Sequence, residues 1–161
     1  MTTLILPRPF RLNARARMAD AKPLAAPALD DLPPVLHGRK RGPRPPILSY
    51  GFPVDEQKLK DMCAELFDYS PTSYGDAEMY VPDAAIWMTL DHMANTFNHK
   101  ITFDLILFEE RCQLMIAITN NYRMHRKREE IARKVAEFLQ LPADEKPRWF
   151  LSEERWWWEG C

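Results

Sequence analysis

The chain has 161 residues, 46% of them hydrophobic, which suffices for one ordinary domain with its own core. Its net charge of −1 hides a split: residues 1–50 hold nine Lys/Arg and three Asp/Glu, the remainder thirteen and twenty. No apolar run reaches the roughly 20 residues of a membrane helix, Cys63, Cys112 and Cys161 form no Cys-x-x-Cys pair, and no Walker A, Gly-x-Gly-x-x-Gly or Gly-x-Ser-x-Gly motif occurs among only five glycines.

Residues 1–48 read as a disordered basic arm. Nine of the fourteen prolines fall within 1–50, and the apolar residues keep no sustained period. Arg8, Arg11, Arg15 and Arg17 precede the first acidic residue, Asp20, as in a mitochondrial presequence, but Pro7 and Pro9 interrupt any helix there. Arg39, Lys40, Arg41 and Arg44 form a basic cluster of the nuclear-import or nucleic-acid type. Lys40, Pro43 and Pro46 also fit the basic-x-x-Pro-x-x-Pro spacing of a polyproline ligand. A solvated linker explains the same residues more simply.

Order is expected from about residue 49. Asp55 is placed to cap a helix running to about 68, with Leu59, Met62, Cys63, Leu66 and Phe67 on its inner side. Cys63 falls inside that stripe and reads as a small core residue. Residues 69–81 read as a loop, with Ser70-Pro71 as a phosphoacceptor pattern or an ordinary turn. A second helix is predicted from a cap at Asp83 to Phe97, through Ile86, Trp87, Leu90, Met93 and Ala94. Asn98 or His99 ends it.

The next stretch organises the chain. Residues 101–108 alternate Ile101, Phe103, Leu105 and Leu107 with Thr102, Asp104, Ile106 and Phe108, the period of a strand. Residues 112–119 are apolar on both faces, as a central strand requires. Glu109, Glu110 and Arg111 form a turn-length break, so an antiparallel hairpin is predicted over 101–119; the rival reading is one buried helix over 103–119. A helix over 122–140 follows, capped by Asn120 or Asn121 and stopped by Pro142. Its apolar face is Met124, Ile131, Val135, Phe138 and Leu139. Glu129–Arg133 and Glu130–Lys134 are spaced as i,i+4 ion pairs. In the tail, 148–151 and 155–158 read as short strands extending the sheet, or as a segment packed across the domain. Consecutive Trp156, Trp157 and Trp158 cannot all face one way.

The resulting expectation is a small single α+β domain at 49–141, of order α-α-β-β-α, with a central hairpin packed by helices. A disordered arm (1–48) precedes it and an aromatic tail (142–161) follows. The sharpest functional cluster is Arg123, His125, Arg126, Lys127 and Arg128. At a helix start these cations would oppose the macrodipole, so an anion is the natural reason to keep them; pairing with the acidic body is the plainer reason. With Trp156, Trp157 and Trp158, a residue type common in binding hot spots, they predict a non-enzymatic module for a protein or anionic partner. Nucleic acid is the less favoured partner, because the body is net acidic. The alternatives are a small enzyme with a pocket built from residues distant in sequence (His92, His99, Cys63 or Cys112), and a fragment or degenerate copy of a larger protein. His92 and His99, seven residues apart with Asp91 and Asn95, lack a third strong ligand, so no metal and no cofactor is predicted. The odd cysteine count and absent Asn-x-Ser/Thr acceptors point to an intracellular protein, cytoplasmic or nuclear, with the mitochondrion as alternative.

Overall fold

The computed structural model describes residues 10, 26–67, 81–109 and 111–160, with the backbone alone at 81–85. The elements are β1 (Leu48–Pro53), α1 (Glu56–Phe67), α2 (Val81–Phe97), β2 (Thr102–Phe108), β3 (Arg111–Asn120), α3 (Arg128–Phe138) and β4 (Arg148–Leu151), preceded by a 3₁₀ turn at Pro34–Leu36. The α+β class and the hairpin stand. The order gains two strands, β1 and β4, and β4 is the tail segment 148–151. The second tail stretch, 155–158, forms no strand. The Ser70-Pro71 pattern, the Arg8, Arg11, Arg15 and Arg17 run, Glu110 and Cys161 lie outside the described residues.

Four antiparallel strands form one sheet in the order β2-β3-β1-β4. Phe108 pairs with Arg111, so the hairpin turn is two residues long, with Glu109 at φ 50°. Alternation then sorts the side chains. Leu48, Tyr50, Phe52, Leu107, Ile116, Ile118, Trp149 and Leu151 face the helices and join Leu59, Leu90, Met93, Ile131, Val135 and Leu139 in the main core. The opposite face carries a second cluster, Ile106, Met115, Ala117 and Phe150.

That opposite face is concave. Just past β4, Ser152 bridges Ile106 of β2, and the Glu153 amide donates to the Leu105 carbonyl at 2.7 Å. The two outer strands of the sheet therefore meet at one end. Inside the curl, the Ser49 hydroxyl donates to Asp104 Oδ2 at 2.6 Å, although β3 lies between their strands. Strands two apart in a flat sheet are separated by about 9.6 Å, beyond the reach of two such short side chains. The bend sits at a bulge. Tyr50 pairs with Thr119 and Gly51 with Ala117, which leaves Ile118 without a partner on β1. The His99 Nε2–H donates to the Ile118 carbonyl at 2.9 Å and satisfies the bulged residue.

Residues 26–48 were expected to belong to a disordered arm, but they are packed. Leu36 is fully buried and Ala26 nearly so. Leu29 exchanges two backbone hydrogen bonds with Trp149, at 2.9 and 2.8 Å. The prolines that break helical and strand periodicity here leave carbonyls that side chains take up. Pro46 and Leu36 offer theirs to Asn121 Nδ2, and Pro45 to the Tyr122 hydroxyl at 2.6 Å.

Asp55 caps α1 as expected, accepting from the Gln57 amide at 2.7 Å. Asn98, at φ 49°, ends α2. That helix begins at Val81, ahead of Asp83. α3 begins at Arg128, six residues later than expected. Asn120 Oδ1 accepts the amides of Tyr122 and Arg123, which folds 120–123 into a turn instead of a helix. Asn121 is no cap either: it is buried. Lys134 pairs with Glu130 at 3.0 Å, but Arg133 chooses Glu137 over Glu129, at 3.2 Å.

Candidate anion-binding site

The late start of α3 changes the meaning of the cationic cluster. Arg123, His125, Arg126 and Lys127 lie in the loop before the helix, and the first turn holds Glu129 and Glu130. The macrodipole is thus served by carboxylates, and the cations are not placed against it. Arg128 has turned inward: its guanidinium sits 5.8 Å from the Tyr50 ring centre and 3.8 Å from Glu129. Arg126 and Lys127 are exposed.

Arg123 and His125 reach a recess of about 240 Å³ beside the β3 bulge. Lys100 and His99 come to the same hollow from the turn after α2, and Thr119 and Asn120 from the end of β3. The His99 and His125 rings meet edge to face, 4.5 Å between centres. Their protons are placed by their other contacts. His99 gives its Nε2–H to Ile118, whereas His125 Nδ1 accepts the Lys127 amide at 3.2 Å. The His125 proton is therefore on Nε2, as a donor. Asn120 Oδ1 is occupied by two amides, which leaves its Nδ2 donor. Thr119 Oγ1 is turned to the Arg123 carbonyl and fixes the loop. Donors and cations predominate, and among the described residues no carboxylate lines the recess.

Ser49 forms part of the same lining, and Asp104 lies behind it. Asp104 accepts from Ser49, from the Ser152 hydroxyl at 3.0 Å and from the Leu105 amide. Burial outweighs these donors, and with Glu154 it holds the carboxyl above its ordinary range. The native state thus keeps a proton that the unfolded chain releases. Stability falls as pH rises from the ordinary aspartate value through the raised native one. Asp104→Asn preserves both serine contacts, since a hydroxyl can donate to the amide oxygen and accept from the nitrogen. It should stabilise at pH 7 by about 1 kcal/mol, or about 2–4 °C in Tm. The gain should shrink as pH falls, which melting curves of the two proteins across pH will measure.

The remaining expected site residues are placed elsewhere. Trp158 is buried, its Nε1–H donating to the Phe10 carbonyl at 3.3 Å. Trp156 and Trp157 are half-buried and pack edge to face at 4.9 Å. No three-tryptophan surface patch exists. The 39–46 stretch meets this tail: the Arg39 guanidinium lies 5.6 Å from the Trp158 ring centre, and Arg44 exchanges two backbone hydrogen bonds with Glu159. Pro45 and Pro46 are buried, Pro43 is half-buried, and only Lys40 and Arg41 of that cluster stand exposed without such contacts among the described residues. A polyproline ligand needs Pro46 free, and it is not.

His92 is not brought to His99. It packs between the rings of Phe67 and Phe138, at 5.8 and 5.7 Å. The Cys63 thiol is buried, and burial pushes its pKa up, away from nucleophilic use. Cys112 is exposed near the start of β3. Among the described residues no group of three His, Cys, Asp or Glu is placed to hold a metal, and no helix is long and apolar enough to cross a membrane.

The sequence reading missed Lys100, Thr119 and Asn120 as site members, and it missed the Asp104 clasp. One cue was present: Asp104 is the single charged residue inside an otherwise apolar or Thr-bearing strand. Comparison of the chain with protein-family models, curated proteins and solved structures finds no match in any of the three. The class that fold and site define is an α+β protein with a curled four-stranded sheet and a cationic recess at its bulge.

Proposed function

We propose that the protein is a non-enzymatic interaction module that receives an anionic group, such as a phosphoryl or carboxyl, on a protein partner. The observation that carries this reading is the recess where Lys100, Arg123 and the His125 Nε2–H converge, with no carboxylate among the described residues of the lining. Charge-assisted hydrogen bonds of this kind are shorter and stronger than neutral ones. The recess is smaller than a drug-sized pocket, so it suits one group rather than a whole cofactor. Exposed Arg126 and Lys127 on the adjoining loop add attraction at longer range, which salt will screen.

The test uses inorganic phosphate and the full chain. Phosphate should raise Tm over chloride at equal ionic strength. Ligand at about a hundred times Kd stabilises by about 2.7 kcal/mol. Lys100→Gln combined with Arg123→Gln should remove that gain while leaving Tm in chloride within about 2 °C, since both residues are exposed. Equal melting in phosphate and chloride for the wild-type chain would refute the reading.

A further inference from the structure

A buried carboxyl sits behind the floor of the cationic recess. Thr102 and Asp104, two residues apart on β2, share the concave face with Ala117 and Met115, their partners on β3. Thr102, Ala117 and Ser49 line the recess. Ser49 is 4% exposed and touches both sides: it forms part of the lining, and its hydroxyl donates to Asp104 Oδ2 at 2.6 Å. The Ser152 hydroxyl donates to Oδ1 at 3.0 Å. A donor of the recess floor is thus turned away from the recess by the group behind it.

The direction of that hydrogen bond depends on one proton. An ionised carboxylate only accepts, so it holds the Ser49 hydrogen. A protonated carboxyl also donates. With its proton on Oδ2, Asp104 donates to Ser49 Oγ, and the serine hydrogen is free to turn into the recess beside Asn120 Nδ2 and the His125 Nε2–H. The same proton removes a negative charge from behind the site, in surroundings where like charges repel more strongly than in water. Both changes favour an anion. Burial already raises the Asp104 pKa against the donors from Ser49, Ser152 and the Leu105 amide, and Glu154 adds to the rise. Each neighbouring element meets this carboxyl differently: β1 brings Ser49, the stretch after β4 brings Ser152 and Glu154, and β3 brings the apolar Met115. On the far side of Ser49 stand Lys100, Arg123, His99 and His125.

We infer, on the strength of the anion-site reading above, that the recess takes up its anion together with one proton, which goes to Asp104, and that Ser49 is the binding residue linking the two. Affinity then falls as pH rises, because the anion-bound protein keeps the Asp104 proton to a higher pH than the free protein does. Asp104→Asn keeps both serine contacts without a charge, and so holds the tight-binding state at every pH.

Sulfate is the probe, because its own charge stays fixed where that of phosphate changes. Its Kd for the full chain is read at constant ionic strength from the backbone amide resonances of residues 119–125, from about pH 5 to about pH 8. Wild type and Asp104→Asn should approach each other toward the acid end, and the variant should bind at least about tenfold tighter at the alkaline end. Any charge gained by His99 or His125 is common to both proteins and cancels in their ratio. Ser152→Ala removes a donor to the carboxylate but no lining residue, and should move the fall in affinity to higher pH. Ser49→Ala should weaken binding about fivefold at the acid end, the loss of one hydrogen bond. The ratio of wild type to Asp104→Asn decides the matter even where Ser49→Ala does not fold. A ratio that is the same at every pH would overturn the proton linkage and leave the anion site standing. Sulfate binding to neither protein, or binding that survives Lys100→Gln with Arg123→Gln, would overturn both.

Discussion

Gly51→Ala is expected to leave no stably folded protein. A methyl group at this position would lie 1.9 Å from the Ile116 carbonyl oxygen and 3.0 Å from its carbon, both backbone atoms of the paired central strand. No rotamer change relieves a contact with backbone. The strands could separate only by breaking the β1–β3 ladder at the bulge, where the sheet turns to bring Ser49 to Asp104. Glycine at such a bend marks the close approach of two backbones. The cost should exceed about 4 kcal/mol, a large part of the roughly 5–15 kcal/mol that holds a domain together. Urea denaturation followed by circular dichroism will show it, as an absent or strongly lowered midpoint. A midpoint like that of the wild type would mean that β1 and β3 do not approach as described.

Asn121→Ala should be nearly as damaging. Asn121 is 2% exposed, and its side chain makes three hydrogen bonds to backbone groups. Nδ2 donates to the Leu36 and Pro46 carbonyls, at 2.7 and 2.9 Å, and Oδ1 accepts the Leu48 amide at 2.9 Å. These contacts tie the 34–48 segment to the end of β3. Each unmet buried group costs about 1–3 kcal/mol, so a total of about 3–5 kcal/mol is expected, or a Tm lowered by about 10 °C. Asn120→Ala is the internal comparison. It removes a partly exposed turn cap, a loss of about 1 kcal/mol. If thermal melting ranks Asn120 above Asn121, residues 34–48 do not dock as described.

The hairpin was legible because its signal is local: two apolar runs of strand length around a polar break. α1 and α2 were legible from their 3.6-residue periods, and Asp55 from its position just ahead of one. Three things were not legible, each for a physical reason. β1 holds Gly51 and Pro53, residues that weaken a strand pattern, and it is ordered by long-range pairing with β3 and β4. Residues 26–48 look disordered by composition, yet carbonyls freed by proline are met by Asn121, Tyr122 and Arg155 from far along the chain. The start of α3 was misplaced because Asn120 and Asn121 both resemble helix caps, while their side chains stabilise a turn and a docked segment. At the site, the value of Arg123 was visible as an unexplained cation. Its convergence with Lys100 depends on the bulge at Ile118, which no local pattern announces.

The imidazole resonances of the four histidines, followed by long-range ¹H–¹⁵N correlation as inorganic phosphate is added at constant ionic strength, test the recess most directly. His99 and His125 should shift together and saturably, with His37 and His92 unmoved, and Arg123→Gln should abolish the effect. Shifts of equal size at all four rings, or at none, would contradict an anion site between the bulge and the 120–127 loop.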